Sequence, residues 1–260
     1  MPTDLSTLPS AKKTGRSSVS LRIAETFLSV QGEGALTGVR SFFIRTTGCN
    51  LRCWFCDTPY TSWSAEGNWQ SVDELLSQAI SSGVEHVILT GGEPLLQPAI
   101  VELSYAMKAA GLHITVETAG TVDRPVMADL MSISPKLANS DPAYAPNFTV
   151  NPTAGRGGSG AVARRHSELR WNIATLTRLT TDYPYQLKFV IDTPADLDAL
   201  SEALAELPHV PPEHIWLMPQ GITQEELAMR GAWLKPLAES QGYNFCPRLH
   251  IEWFGHRRGV

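Results

Sequence analysis

The sequence predicts an α/β fold built on a parallel sheet, on three observations. From Leu21 nearly to the end, short apolar runs alternate with stretches of helical period. The helical stretches carry their own start and stop signals. At 260 residues, 43% of them hydrophobic, the chain can bury a full core as one large domain.

In order, residues 1–20 are rich in Ser, Thr, Pro and Lys and cannot bury enough surface to offset the cost of ordering, so they read as a flexible tail before a domain spanning 21–260. "SFFIRTTG", Ser41 to Gly48, reads as a strand running into a cysteine-rich loop. Ser71–Gly83 is a helix with a Ser cap, acidic residues in its first turn and Gly after its last. "HVILTGGEP" (His86–Pro94) is strand and loop, Pro98–Gly111 helix, "HITVETAGT" (His113–Thr121) strand and "LMSISPK" (Leu130–Lys136) strand. Ala143–Arg165 breaks the rhythm with four glycines between Gly155 and Gly160; it is long for a loop inside a compact domain and reads as a mobile lid or a disordered insert. The alternation resumes with helix His166–Asp182, strand "YQLKFVID" (Tyr185–Asp192), helix Thr193–Leu207, strand "HIWLMPQG" (His214–Gly221), helix Thr223–Gly242 and strand "YNFCPRLHIE" (Tyr243–Glu252). On such a sheet, functional residues belong on the loops beyond the carboxyl ends of the strands.

Charge and hydropathy narrow the class of partner. With 21 basic against 26 acidic residues the net charge is −5, which disfavours a nucleic-acid binder held by bulk electrostatics and favours a small molecule. No apolar run reaches the ~18–20 residues of a membrane span, and the N-terminus lacks the apolar core of a secretory signal. The expected location is the cytoplasm, where thiols stay reduced and clustered cysteines more often bind metal than pair.

Three of the four cysteines, Cys49, Cys53 and Cys56, fall in "CNLRCWFC" with the spacing CxxxCxxC. Three thiolates can hold three corners of a 4Fe–4S cube and leave one iron open for chemistry. Alternatively Cys246 or His250 closes a tetrahedral zinc site. Spacing alone leaves both readings in place.

A second motif decides between them. "CNLRCWFC", with aromatic Phe55 before the last cysteine, resembles the CxxxCxΦC motif of the radical S-adenosylmethionine superfamily, and "TGGEP", Thr90 to Pro94, resembles that superfamily's second motif. "ETFLSVQGEGALTGVRSFFIRTTGCNLRCWFCDT", Glu25 to Thr58, closely resembles the opening of the 7-carboxy-7-deazaguanine synthase family, and "ILTGGEPLLQ", "ITVETAGT" and "ISPKL" continue the likeness in order. The resemblance implies a modified, incomplete (β/α) barrel, usually a homodimer, with a 4Fe–4S cluster, S-adenosylmethionine and Mg²⁺. It implies ring contraction of 6-carboxy-5,6,7,8-tetrahydropterin to 7-carboxy-7-deazaguanine with loss of ammonia, electrons coming from a donor such as flavodoxin or ferredoxin.

The same resemblance assigns residues. Cys49, Cys53 and Cys56 hold the cluster and Thr58 the Mg²⁺; apart from the resemblance, Asp57 stands beside Thr58 in the chain, where it can orient a metal-bound water. S-adenosylmethionine falls to Phe55, Gly92, Glu93, Ser134, Pro135, Lys136 and the strand end Met218, Pro219, Gln220 and Gly221, with the Glu93 carboxylate accepting from the ammonium group. The pterin falls to Val30, Gln31, Gly32, Glu33, Arg45, Thr90 and His250: Gln31 and Glu33 suit its donor and acceptor edge, Arg45 its carboxylate. Arg257 and Arg258 lie beyond the matching pattern and are expected to be a solvated basic end. Two alternatives remain at this stage: a radical enzyme on another substrate, such as a glycyl-radical activase, and a zinc-binding module without activity.

Overall fold

The computed structural model describes residues 19–144 and 159–260. The predicted tail, apart from its last two residues, and residues 145–158 of the predicted insert lie outside these. Within them the chain forms a nine-stranded sheet in the order β3-β1-β2-β4-β5-β6-β7-β8-β9. The strands are β1 (Ser20–Val30), β2 (Arg40–Thr46), β3 (Asn68–Ser71), β4 (His86–Gly91), β5 (His113–Thr118), β6 (Leu130–Ile133), β7 (Tyr185–Ile191), β8 (Ile215–Pro219) and β9 (Asn244–Phe245). From β2 across to β9 every neighbouring pair is parallel, as the alternation predicts.

The parallel strands form because their apolar runs are buried on both faces. Ile88, Leu89, Ile114, Val116, Met131, Ile133, Leu187, Phe189 and Leu217 are all fully buried. Covering helices are α2 (Val72–Ser81), α3 (Ile100–Ala109), α5 (Ile173–Asp182), α6 (Asp196–Ala205) and α7 (Gln224–Ser240), reached in chain order after the short α1 (Pro59–Ser62) and, for α5, after α4 (Ser159–Leu169). Leu75, Leu103, Leu176, Leu200 and Leu234 point inward from these five helices, each such burial contributing about 1.5–3 kcal/mol. α2 starts where the sequence places its cap: Ser71 accepts from Glu74 N while Glu74 returns a bond to the Ser71 backbone.

Three sequence readings are corrected by the structure, and the short β3 and α1 have no counterpart among the predicted elements. β1 is not among the predicted strands; its Leu21 and Ile23 face the core with Arg22 between them, and it pairs antiparallel with β2 and β3. The single helix predicted over 166–182 is two, because Asn172 caps α5 by accepting from Thr175 N and so stops α4 at Leu169; α4 also reaches back to Ser159, so the end of the predicted insert is helical. The strand predicted over 243–252 ends at Phe245. Pro247 lacks the N–H a ladder needs, Arg248 turns the chain at φ 58°, and Leu249–Phe254 form α8.

The sheet does not close; β3 and β9 are its edges. It curls far enough for the segment after β1 to meet the other side. Leu249 N donates to Gly32 O (2.9 Å), and Ala35 N to Gln186 Oε1 on β7 (2.8 Å). The incomplete barrel is therefore present, with the 31–36 segment lodged inside the curve.

Candidate active site

Beyond the carboxyl ends of the parallel strands lies a cavity of about 550 Å³. Each strand end supplies part of its wall: the cysteine loop after β2, Thr90, Gly91 and Gly92 at β4, Glu117 to Ala119 at β5, Ser134 and Lys136 after β6, Lys188 and Val190 on β7, Met218 and Gln220 at β8. The curl of the sheet brings Val30 to Glu33 and the residues after β9 to the same space.

Cys49, Cys53 and Cys56 all line this cavity and none is paired. Burial pushes Cys49 up to about 11 and Cys53 up to about 12, so as bare thiols they stay protonated; a bound cationic centre would make them thiolates. Cys56 Sγ shares a hydrogen bond with Ser62 Oγ at 3.2 Å. Among the described residues no three His, Cys, Asp or Glu form a group that could hold a single metal ion. The three thiols that line the cavity are the donor set a 4Fe–4S cluster takes, with one corner left over. The fourth cysteine cannot complete a zinc site, because Cys246 Sγ accepts from Gly34 N (3.3 Å) and does not line the cavity.

The two glycines of "TGGEP" make the cysteine loop's seat. Gly91 sits at φ 148°, and a Cβ on Gly92 would lie 2.8 Å from Cys49 Cβ and 2.4 Å from Gly48 O. Gly92 N and Glu93 N donate back to Thr46 O and Gly48 O, stitching the two loops together. Glu93, expected to receive an ammonium group, is turned elsewhere. Its fully buried carboxylate accepts from Leu95 N (3.1 Å), Ala119 N (2.8 Å) and the Thr118 hydroxyl (2.8 Å), and it does not line the cavity. Glu93 ties the β4 and β5 ends together.

Of the other expected cofactor residues, Phe55, Ser134, Lys136, Met218 and Gln220 line the cavity beside Gly92, while Pro135, Pro219 and Gly221 do not. Lys136 Nζ donates to Ser134 Oγ (2.7 Å). Thr58 lines the cavity at the start of α1 without capping it through its side chain, and Asp57 beside it pairs with Arg248.

Every residue expected to meet the pterin is here. Val30, Gln31, Gly32, Glu33, Arg45, Thr90 and His250 line the cavity. Gln31 Nε2 donates to Glu117 Oε1 (3.1 Å) and its Oε1 accepts from Glu33 N (3.1 Å), which fixes both ends of the amide. Arg45 Nε donates to Glu25 (2.7 Å). Gly32 packs on His250 so tightly that an added Cβ would lie 2.5 Å from the His250 backbone nitrogen. Burial holds His250 below the usual histidine range, only partly offset by Glu33 at 4.0 Å.

Sequence reasoning missed the buried charges behind these residues. Lys188 is fully buried yet bridges Glu33 and Glu117, and Arg248 reaches Glu33, Asp57 and Gly221 O. Burial alone would raise Glu33; Lys188, then Arg248 and His250, outweigh it and hold the carboxyl far below its usual range. A lysine inside the apolar run "YQLKFVID" is a signal the sequence carries; Arg248 lay hidden in a segment read as strand.

Both C-terminal arginines are exposed, as expected, but Arg258 also meets carboxylates. Residues 255–258 and Val260 line the mouth of the cavity. Arg258 bonds Glu25 (3.2 Å) and Glu66 (2.9 Å) and lies 4.1 Å over the Tyr60 ring, and His256 shares a hydrogen bond with Asp57 O. Arg258 rests on the rim of the cavity because an acidic pair and an aromatic face await it there.

Residues 43–139 match the Radical SAM superfamily. The chain is 47% identical over 242 residues to the 7-carboxy-7-deazaguanine synthase of Rhodopirellula baltica, covering 93% of this chain and 89% of that one. It is 44% identical to the enzyme of that name from Halobacterium salinarum, covering 89% and 90%. In fold it is similar to the crystal structure of QueE from Escherichia coli, with a TM-score of 0.59, 22% identity and coverage of 87% of this chain and 92% of that one.

Proposed function

The chain belongs to the 7-carboxy-7-deazaguanine synthase family within the Radical SAM superfamily, and from that premise we propose that it contracts the ring of 6-carboxy-5,6,7,8-tetrahydropterin to 7-carboxy-7-deazaguanine. Ammonia leaves, the reaction class is a carbon–nitrogen lyase, and the product feeds deazapurine and queuosine synthesis. The observation that carries this reading is that the CxxxCxxC thiols and the pterin set Gln31, Glu33, Arg45, Thr90 and His250 face one cavity.

Cys49, Cys53 and Cys56 would hold the 4Fe–4S cluster, and Gly92, Ser134, Lys136, Met218 and Gln220, with Phe55, the S-adenosylmethionine beside it. When bound, these groups supply hydrogen-atom abstraction from the substrate, chemistry that belongs to the cofactor. The protein's share is position and exclusion. Gln31 and Glu33 accept from the amino-pyrimidine edge, Arg45 takes the carboxylate, and His250, kept neutral by burial, offers either a donor or an acceptor. Thr58 is the one protein oxygen proposed for Mg²⁺, which keeps its waters and takes its other ligands from the substrate. Residues 255–258 and Val260, which line the cavity, would help to keep water and oxygen from the site. A flavodoxin- or ferredoxin-type electron donor and a homodimer complete the proposal.

Anaerobic turnover tests it. Reconstituted protein with a reductant, S-adenosylmethionine and the tetrahydropterin, with and without Mg²⁺, is expected to yield 7-carboxy-7-deazaguanine by mass spectrometry, and Cys53→Ala to lose iron and product together. Cofactor cleavage without that product would leave the radical chemistry and remove the substrate assignment.

A further inference from the structure

Lys188 projects from β7 with 1% of its surface exposed, and its Nζ donates to Glu33 Oε2 and Glu117 Oε2, each at 2.8 Å. Glu33 and Glu117 come from different parts of the chain, one from the segment after β1 and one from the end of β5. An unpaired ammonium buried this deeply would be costly, and so would two neighbouring carboxylates without a cation. Lacking Lys188, two carboxyl groups this close and largely shielded from water would share a proton, and the protonated one would become a donor.

That matters for a pterin. Its amino-pyrimidine edge offers a ring N–H and an exocyclic amine, both donors, and needs acceptors opposite. We infer that Lys188 is a positioning residue of the substrate site: by bridging Glu33 and Glu117 it holds both side chains together and aimed at the cavity, as acceptors for the donor edge of the ring. The inference rests on the pterin reading above. Burial pulls the lysine down, but Glu117 and Glu33 outweigh it, so the ammonium stays charged at any pH the enzyme meets. The other groups facing the pair are Arg248 and His250 from the segment after β9, Asp57 from the cysteine loop, the Cys246 thiol and the neutral Gln31 amide. Arg248 meets Glu33 at 3.3 Å and also serves Asp57, whereas the hydrogen bonds of Glu117 come from Lys188 and Gln31. Glu117 is thus the carboxylate that depends most on the lysine.

The test uses reconstituted holoenzyme and two variants, Lys188→Met, which keeps length and removes charge, and Lys188→Met/Glu117→Gln, which removes one charge of each sign and guards against misfolding. In Lys188→Met the iron content is expected to match the parent, while KM for the tetrahydropterin rises at least tenfold at pH 7 and recovers as pH rises and the shared proton leaves. The substrate-free Met variant should show a protonated-carboxyl infrared band at pH 7 that the parent and the double variant lack. The double variant should show a raised KM that no longer follows pH. An unchanged KM, a rise equal at all pH values, or no new carboxyl band would overturn the inference. The infrared band is read without substrate, so it decides the charge argument even if the parent fails to turn over the pterin, an outcome that counts against the proposed substrate instead.

Discussion

Glu93 shows how far the partners of a motif residue can differ from the one expected of it. Its carboxylate is spent on two backbone N–H groups and a hydroxyl, so Glu93→Gln puts an amide donor against donors and should cost about 2 kcal/mol, seen as a lower urea midpoint. His86 gives a second test. It is enclosed by Ser41 and Thr115, and burial, then His113, lowers it to about 4 from 6.5. The unfolded chain takes up a proton below about 6.5 that the folded one refuses until about 4. Its contribution is therefore complete above 6.5 and drains away as pH falls towards 4; the urea midpoint should drop between pH 7.5 and 5.5, and less so in His86→Gln. Gln31, Gly32, Glu33, the three cysteines, Phe55, Thr90 and Gly92 were legible because they sit in short motifs, "QGEG", "CNLRCWFC" and "TGGEP". Glu117, Lys188 and Arg248 were not, because each matters through partners more than 70 positions away.

At the scale of elements, the parallel strands and their helices were legible because apolar period and caps are local properties. α7 begins at the predicted Thr223, which accepts from Glu226 N while Glu226 returns a bond to its backbone. Thr223→Ala should cost about 1 kcal/mol in urea unfolding and leave turnover unchanged. The failures are local rules outvoted by context. Asn172 divides one helical period into two helices, and an apolar stretch after Phe245 that suits a strand folds into α8 because Arg248 is held left-handed by its three guanidinium contacts. β1 was passed over because an antiparallel strand at the flank has no place in a βα rhythm.

For the whole molecule, the resemblance anticipated the incomplete barrel; local pattern could not, since closure is decided between segments far apart in sequence. The same holds for the 255–260 segment, whose Arg258 is held at the rim of the cavity by Glu25, Glu66 and Tyr60. Deleting 255–260 should raise KM for the pterin several-fold and speed bleaching of the iron–sulfur absorption in air, with the unfolding midpoint little changed. Matched oxygen sensitivity would show that the segment shields nothing.

The open sheet has one more consequence. In a closed barrel the bore is fixed by strand number and shear, and widening it means unzipping a ladder. Here part of the circumference is spanned by side chains: Lys188 reaching Glu33, and Arg248 reaching Glu33 and Asp57. The diameter of the site is thus set partly by the lengths of individual residues, and a single codon can resize it while every strand pair stays intact.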